Sequence, residues 1–314
     1  MALSVPPPQP SEKAPAKQGK QAPDVSVILC TRNRAALLST ALEQLTAVIR
    51  NNPDVRVELI IVNNGSRDNT ADVIAAFARG HTDFPVRAID ALKPGLAAAR
   101  NAGLKVGLGR ILMFCDDDGV LAPDYFTVLL RLYANAESMT MIGGCVLLGN
   151  KDDLPYTIKT ETEPSVYNGR YPGGFIHGCN MTFSRTIYET IGLMDERFGA
   201  GALFPSADES DYIHRAHKAG ATVRYCPELI AYHFHGRRDP AEVRRLFDGY
   251  MIGDGALYAK HWNNGLLRCL IGNIVNAVRS LYKAGHVFDK TLGFSYYDAA
   301  LGNLRGFVSF WLKG

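Results

Sequence analysis

A chain of 314 residues, 47% of them hydrophobic, is long enough for one large α/β domain or two small ones with a sizeable core. Its 34 basic and 31 acidic side chains leave a net charge of +3, too little to make nucleic acid an expected partner. The six cysteines (Cys30, Cys115, Cys145, Cys179, Cys226 and Cys269) are widely spaced and include no Cys-x-x-Cys pair, which argues against a zinc site or a disulfide framework and for a reducing cytoplasm.

The first 23 residues are rich in Pro, Lys, Ala and Gln and lack the apolar stretch of a signal peptide, so a disordered tail is expected there. Short apolar runs then alternate with helical patterns. "VSVILC" (25–30), "VELIIV" (57–62), "VRAI" (86–89) and "RILMFC" (110–115) read as buried strands, and the segments between them as helices. This alternation predicts βαβ units, a parallel twisted sheet and helices on both faces, with ligands collecting at the carboxyl ends of the strands. Those ends carry "TRNR", "NNGSRD" and "DDDG".

Beyond Gly119 the pattern is less regular. "MIGGCVLLG" (141–149) and "GCNMTFS" (178–184) read as strands separated by a polar loop of about thirty residues, long enough to be functional. "DESDYIHRAHKAG" reads as a helix, with "ATVRYC" and "ELIAYHFHG" as two strands after it. From Asp239 the pattern is helical to the end. The expected division is therefore an α/β domain over 24–238, its pattern changing at 118/119, and a helical extension over 239–314. No uninterrupted apolar run reaches 18 residues, so no transmembrane helix is expected.

Three adjacent carboxylates, Asp116, Asp117 and Asp118, stand where a buried strand emerges. Such a group needs a cation or full solvation. At a strand end the first is favoured, and Mg²⁺ or Mn²⁺ takes one or two carboxylates together with phosphate oxygens. Asp208 and Glu209 open a helix, where acidic residues also suit the macrodipole, and Asp211 with Arg215 has the spacing of a helical ion pair. Asp68 reads as an N-cap. His233 and His235, two residues apart, would share one face of a strand. No Gly-x-Gly-x-x-Gly follows the first strand, which disfavours hydride transfer.

In order, "VSVILCTRNRAALL", "LIIVNNGSRDNT", "KPGLAAARNAGL", "ILMFCDDDGVLAPDY", "GCNMTFSR" and "ADESDYIHRAHKAG" resemble the motifs of family-two glycosyltransferases over roughly Val25 to Arg238. The resemblance implies a GT-A-like fold and an inverting, hexosyltransferase-like enzyme. A nucleotide-diphosphate sugar would be the donor, a glycan or lipid-linked molecule the acceptor, and Mn²⁺ or Mg²⁺ the cofactor, in polysaccharide or glycoconjugate synthesis. It implies nucleotide-sugar contacts from Thr31, Arg32, Asn63, Arg100, Asp116 and Asp117, with Asn101 beside Arg100 in the same signature. Metal contacts would come from Asp118 with His233 or His235, and the catalytic base would be Glu209 or, since the acidic order is reversed, Asp208. Asn63 stands where many members have Asp, which blurs which nucleobase the donor carries. Arg237 and Arg238 could neutralise a leaving diphosphate. A sugar-phosphate nucleotidyltransferase and a non-catalytic carbohydrate-binding protein of the same fold are the alternatives; the first lacks its expected Gly-rich loop.

In the extension, Leu267, Leu270, Ile271, Ile274, Val278 and Leu281 share one helical face, and Leu301, Leu304, Val308 and Trp311 share another beside Arg305 and Lys313. Two readings stay open: packing on the catalytic domain or a second subunit, or a peripheral contact with the inner face of a membrane.

Overall fold

Apolar runs without alternation must be covered on both faces, and the first strands follow that rule. The computed structural model describes residues 22–262, 264–282 and 287–314; all but the last two residues of the expected tail lie outside them. Strand β1 (Val25–Thr31) is followed by α1 (Ala35–Arg50), β2 (Val57–Asn63), α2 (Thr70–Gly80), β3 (Val86–Asp90), α3 (Leu96–Val106) and β4 (Ile111–Asp116). Every residue of β1 and β2 is buried, whereas β3, at the sheet edge, is half-exposed. These four strands are parallel in the order β3-β2-β1-β4. Leu38, Leu42 and Leu45 of α1 pack on one face, and Ala97, Ala99 and Leu104 of α3 on the other.

The second half continues with β5 (Gly119–Leu121), α4 (Tyr125–Ala134), β6 (Thr140–Leu148), β7 (Ser165–Val166), a 3₁₀ turn at Gly178–Asn180, β8 (Met181–Ser184), α5 (Arg185–Ile191), α6 (Asp208–Lys218) and β9 (Thr222–His233). Antiparallel β8 bridges β4 and β6, and β9 runs parallel to β6. β5 folds back antiparallel on β9 with Gly119 opposite His233, and this sets the histidine beside the aspartates.

The two strands expected at 221–236 are one strand, β9. Pro227 cannot donate to the ladder, so the pairing with β6 shifts there, from Gly144 opposite Cys226 to Cys145 opposite Ile230. The chain bulges so close that a Cβ on Gly144 would stand 1.7 Å from the Leu229 carbonyl oxygen.

Helices α7 (Pro240–His261), α8 (Asn264–Tyr282) and α9 (Tyr296–Lys313) complete the chain, with a two-stranded hairpin of β10 (Val287–Asp289) and β11 (Phe294–Ser295) between the last two. The extension is thus not helical throughout. α7 and α9 meet through glycines: a Cβ on Gly255 would stand 2.0 Å from the Asn303 carbonyl oxygen, and one on Gly306 1.9 Å from that of Ile252. Phe198, Phe204, Ala256, Leu257, Leu266 and Leu270 form a core joining this unit to the loop before α6. No described helix is long and apolar enough to cross a membrane.

Candidate active site

A cavity of about 430 Å³ opens at the carboxyl ends of β1 and β4, walled by the aspartate triplet, Asp208, Glu209, Thr157 and the turn from His177 to Cys179. The parallel register places Cys30 opposite Asp116 and Thr31 opposite Asn63, so the three strand ends finish at one level. At the end of β4 the three aspartates share two arginines and a histidine. Asp116 Oδ1 lies 3.4 Å from the Arg100 guanidinium. Asp117 accepts from the Thr31 hydroxyl (2.7 Å) and from Arg34 (2.7 Å). Asp118 accepts from the same Arg34 nitrogen (2.9 Å) and lies 3.4 Å from His233 Nε2.

Burial pushes the Asp116 and Asp117 carboxyls above the ordinary carboxylate value, with Arg100 and Arg34 respectively opposing the rise. Burial works the same way on Asp118, but the bond to His233 and the two neighbouring cations hold it down to about 2. Burial opposes charge on His233 in turn, and Asp118 outweighs it, raising the histidine.

Across the cavity, Arg100 is the hinge of the charge arrangement. It is 2% exposed, covers the Phe114 ring at 4.8 Å and donates to Asp208 (2.8 Å). A buried arginine needs such partners, since an uncompensated one costs several kcal/mol. Asp208 is committed to this ion pair. Glu209 is half-buried beside it, and its carboxyl is pushed well above the ordinary glutamate value, by burial first and then by the Asp208 charge.

The backbone is strained around these groups. Among the described residues, four non-glycines have left-handed backbones, and three border the cavity: Asn33 (φ 53°) between Arg32 and Arg34, Thr157 (φ 55°) and Ala207 (φ 67°) just before Asp208. For β-branched Thr157 this is an outlier, and it puts the Thr157 hydroxyl 3.3 Å from His233 Nδ1. Such strain concentrates where surrounding structure fixes a functional geometry.

Of the residues singled out in the sequence, Thr31, Arg32, Arg100, Asp116, Asp117, Asp118, Asp208, Glu209, His233 and Arg237 line the cavity together. Asn63 does not: its side-chain amide donates to Asp90 (2.9 Å) and its oxygen accepts from the Ser66 N–H (3.1 Å). The neighbouring Asn64 lines the cavity instead, and fastens the loop through Ala91, Lys93 and Gly95. His235 also lies off the cavity wall. It lies two residues past the end of β9, where the strand's alternation no longer holds; its Nδ1 accepts from the Arg237 N–H (3.0 Å). Arg238 pairs with Asp153 (3.1 Å), away from the cavity wall. Asn101 clamps Met194 and Glu196. Asp68 sits one residue before the N-cap of α2 and accepts from the Thr70 N–H, while its second oxygen takes the first N–H of α1.

Sequence reading passed over Arg34, Thr157, His177, Leu246 and Tyr250, which also line the cavity. Arg34 was visible in "TRNR"; Leu246 and Tyr250 come from α7 and carry no local signal. Cys30 and Cys179 line it too. Burial pushes the Cys30 thiol up to about 12 and Cys179 well above the ordinary value, so neither is a thiolate nucleophile.

Carboxylates, arginines and a histidine gather at the carboxyl ends of a parallel sheet, where ligands of open α/β folds bind. Residues 26–192, just over half of the chain, match the model of Glycosyl transferase family 2, and the chain belongs to that family. It is 34% identical over 111 residues to EpsH of Bacillus subtilis (strain 168), covering 35% of this chain and 30% of that protein. It is 27% identical over 201 residues to the dolichyl-phosphate beta-glucosyltransferase ALG5C of Trichomonas vaginalis, covering 62% and 56%. The matched part thus spans about half or less of these curated relatives. Its fold is similar to that of the mannosyltransferase PcManGT of Pyrobaculum calidifontis, solved in complex with GDP-Man and Mn²⁺, with a TM-score of 0.60 and 18% identity over 98% of this chain and 79% of that one. The fold is the GT-A type that the sequence motifs imply.

Proposed function

We propose that the protein is an inverting glycosyltransferase, moving a sugar from a nucleotide-diphosphate donor to an acceptor hydroxyl. The observation that carries this reading is the pairing of two carboxylate groups across one cavity: the triplet at the end of β4, and Asp208–Glu209 at the start of α6, bridged by buried Arg100. The donor diphosphate would lie on the triplet side, where Arg34 and Arg32 stand; Arg237, whose buried Nη1 has no hydrogen-bond partner among the described residues, would take a diphosphate oxygen. The acceptor would enter on the side walled by Leu246 and Tyr250. One relative is named for dolichyl phosphate, which supports a lipid-borne acceptor.

Glu209 is the better base. Asp208 is held by Arg100, whereas Glu209 has the raised proton affinity that base catalysis near neutrality requires. As Glu209 takes the acceptor proton, the acceptor oxygen bonds to the anomeric carbon from the face opposite the diphosphate. The anomeric carbon–oxygen bond breaks, and its electron pair leaves with the diphosphate, which Arg237 and Arg34 stabilise.

A divalent cation suits the donor set at Asp118 and His233. A carboxylate oxygen and an imidazole nitrogen, 3.4 Å apart on the cavity wall, are acceptable to Mn²⁺ or Mg²⁺. Among the described residues no three His, Cys, Asp or Glu gather into a metal-binding group, so diphosphate oxygens and water would complete the shell. When bound, the metal supplies charge neutralisation at the diphosphate.

The test is a transfer and hydrolysis assay across a panel of nucleotide sugars, with and without chelator. The expected result is release of a nucleoside diphosphate that stops in chelator and returns with Mn²⁺ or Mg²⁺. Release of pyrophosphate would point instead to a nucleotidyltransferase, and donor binding without turnover, in the presence of acceptor extracts, to a binding protein.

A further inference from the structure

We infer that the outward side of the α8–α9 pair is a docking face for an anionic lipid bilayer. The structure splits the apolar face expected for α8. Leu266 and Leu270 are buried in a core shared with α7 and α9, and Ala277 is buried too, but Ile271, Val275 and Val278 are 50%, 38% and 50% exposed on the opposite side. α9 runs back beside α8, joined to it by Asn273 and Asn303 (2.7 Å), and exposes Val308 and Trp311. The chain has two tryptophans, and both are here: Trp262 is 60% and Trp311 65% exposed. Trp262 sits in the left-handed turn between α7 and α8 (φ 27°), with its ring 5.5 Å from that of Phe307 on α9. Apolar residues at helical spacing with tryptophan beside them suit the boundary between head groups and acyl chains.

Charge decides what covers this face. Residues 262–314 hold six Lys or Arg and two Asp or Glu, a net +4 where the whole chain is +3. Arg268 and Arg279 flank the α8 stripe, Arg305 and Lys313 lie on α9, and all four are exposed and in no ion pair among the described residues. A second copy meeting this face would bring like charge against like charge, whereas an anionic surface complements it. With no described helix able to span a bilayer, the contact is with its surface.

Co-sedimentation of the full chain with vesicles tests this, comparing phosphatidylcholine alone with a phosphatidylcholine–phosphatidylglycerol mixture. Binding is expected to the anionic vesicles only, and to fall at least tenfold at 1 M salt, where charge attraction is screened. The exposed pair Val275→Asp/Val278→Asp, and separately Arg268→Glu/Arg279→Glu, should each weaken it at least tenfold while the thermal unfolding curve stays in place. Equal binding to both vesicle types, salt-insensitive binding, or unaltered binding of both folded variants overturns the proposal. So does a dimer, seen by sedimentation equilibrium, that these substitutions dissociate. The readout needs no sugar donor, so it stands or falls separately from the proposed reaction.

Discussion

At the scale of single residues, the site turns on how two adjacent carboxylates divide their work. Asp208 is spent on Arg100; Glu209 is left with a proton affinity above the ordinary glutamate range. As the proposed base it would act only when deprotonated, so turnover should rise with pH through the raised Glu209 value and level off above it. Glu209→Gln should lose 10²- to 10⁴-fold in kcat with the rising limb gone, while equilibrium binding of the donor survives. If the variant keeps its rate and Asp208→Asn loses it, the base is one residue earlier. This division was half legible in the sequence. The motif order gave the carboxylate pair, but nothing local says which member faces a buried arginine 108 residues distant. Arg34 was legible only as one of two arginines: left-handed Asn33 turns the chain between them, so "TRNR" does not reveal which one reaches the aspartates. Asn63 and Asn64 raise the same difficulty at the end of β2, where the strand's alternation stops.

At the scale of elements, α7 is both a wall of the cavity and the centre of the C-terminal unit. An expected boundary at 238/239 treats it as an appendage, because periodicity shows that a helix has an apolar face and not what that face meets. Two contacts fix its position. Asp211 of α6, fully buried, binds Lys260 (2.6 Å) and His261 (2.7 Å) at the end of α7, besides the expected partner Arg215 (2.9 Å). Burial alone would raise the Asp211 carboxyl, but these partners hold it down to about 2. A depressed folded value stabilises the protein above the unfolded value near 4, and that stability is lost as pH falls toward 2. A shift of nearly two units corresponds to about 2 kcal/mol. Asp211→Asn should therefore unfold at lower denaturant and flatten the acid side of the stability profile, by roughly 3 kcal/mol or more if the stranded cations stay buried. The second contact is the glycine-lined crossing with α9. Gly306→Val would force a side chain into the Ile252 backbone, at a cost of about 1–3 kcal/mol or more. It should also tilt Leu246 and Tyr250, raising the acceptor KM more than it lowers kcat.

At the scale of the whole molecule, the alternating half of the sheet could be read almost strand by strand, because each βαβ unit is local and declares itself through apolar runs. The rest could not. β8 inserts between β4 and β6 out of chain order, and β9 is recognisable as one strand only once the bulge at Pro227 is known. The difference has a consequence in time. The Arg100–Asp208 ion pair closes a loop of 108 residues, and its two members belong to halves of the sheet that form by different routes. Until α6 docks, Arg100 has only the more distant Asp116 to balance it, and Glu209 is not yet beside the triplet. Chains of this length commonly fold through populated intermediates. The local parallel half should therefore appear early as a compact species with most of its sheet signal but an unmade cavity. In a refolding experiment, binding of a fluorescent nucleotide diphosphate should lag behind recovery of the far-ultraviolet circular dichroism, and the lag should lengthen in Asp208→Asn. Coincident recovery of both signals would mean that the two halves assemble as one unit. In a lagging chain, the ability to hold the proposed donor would be the last property to arrive, which would keep half-made molecules from engaging it at all.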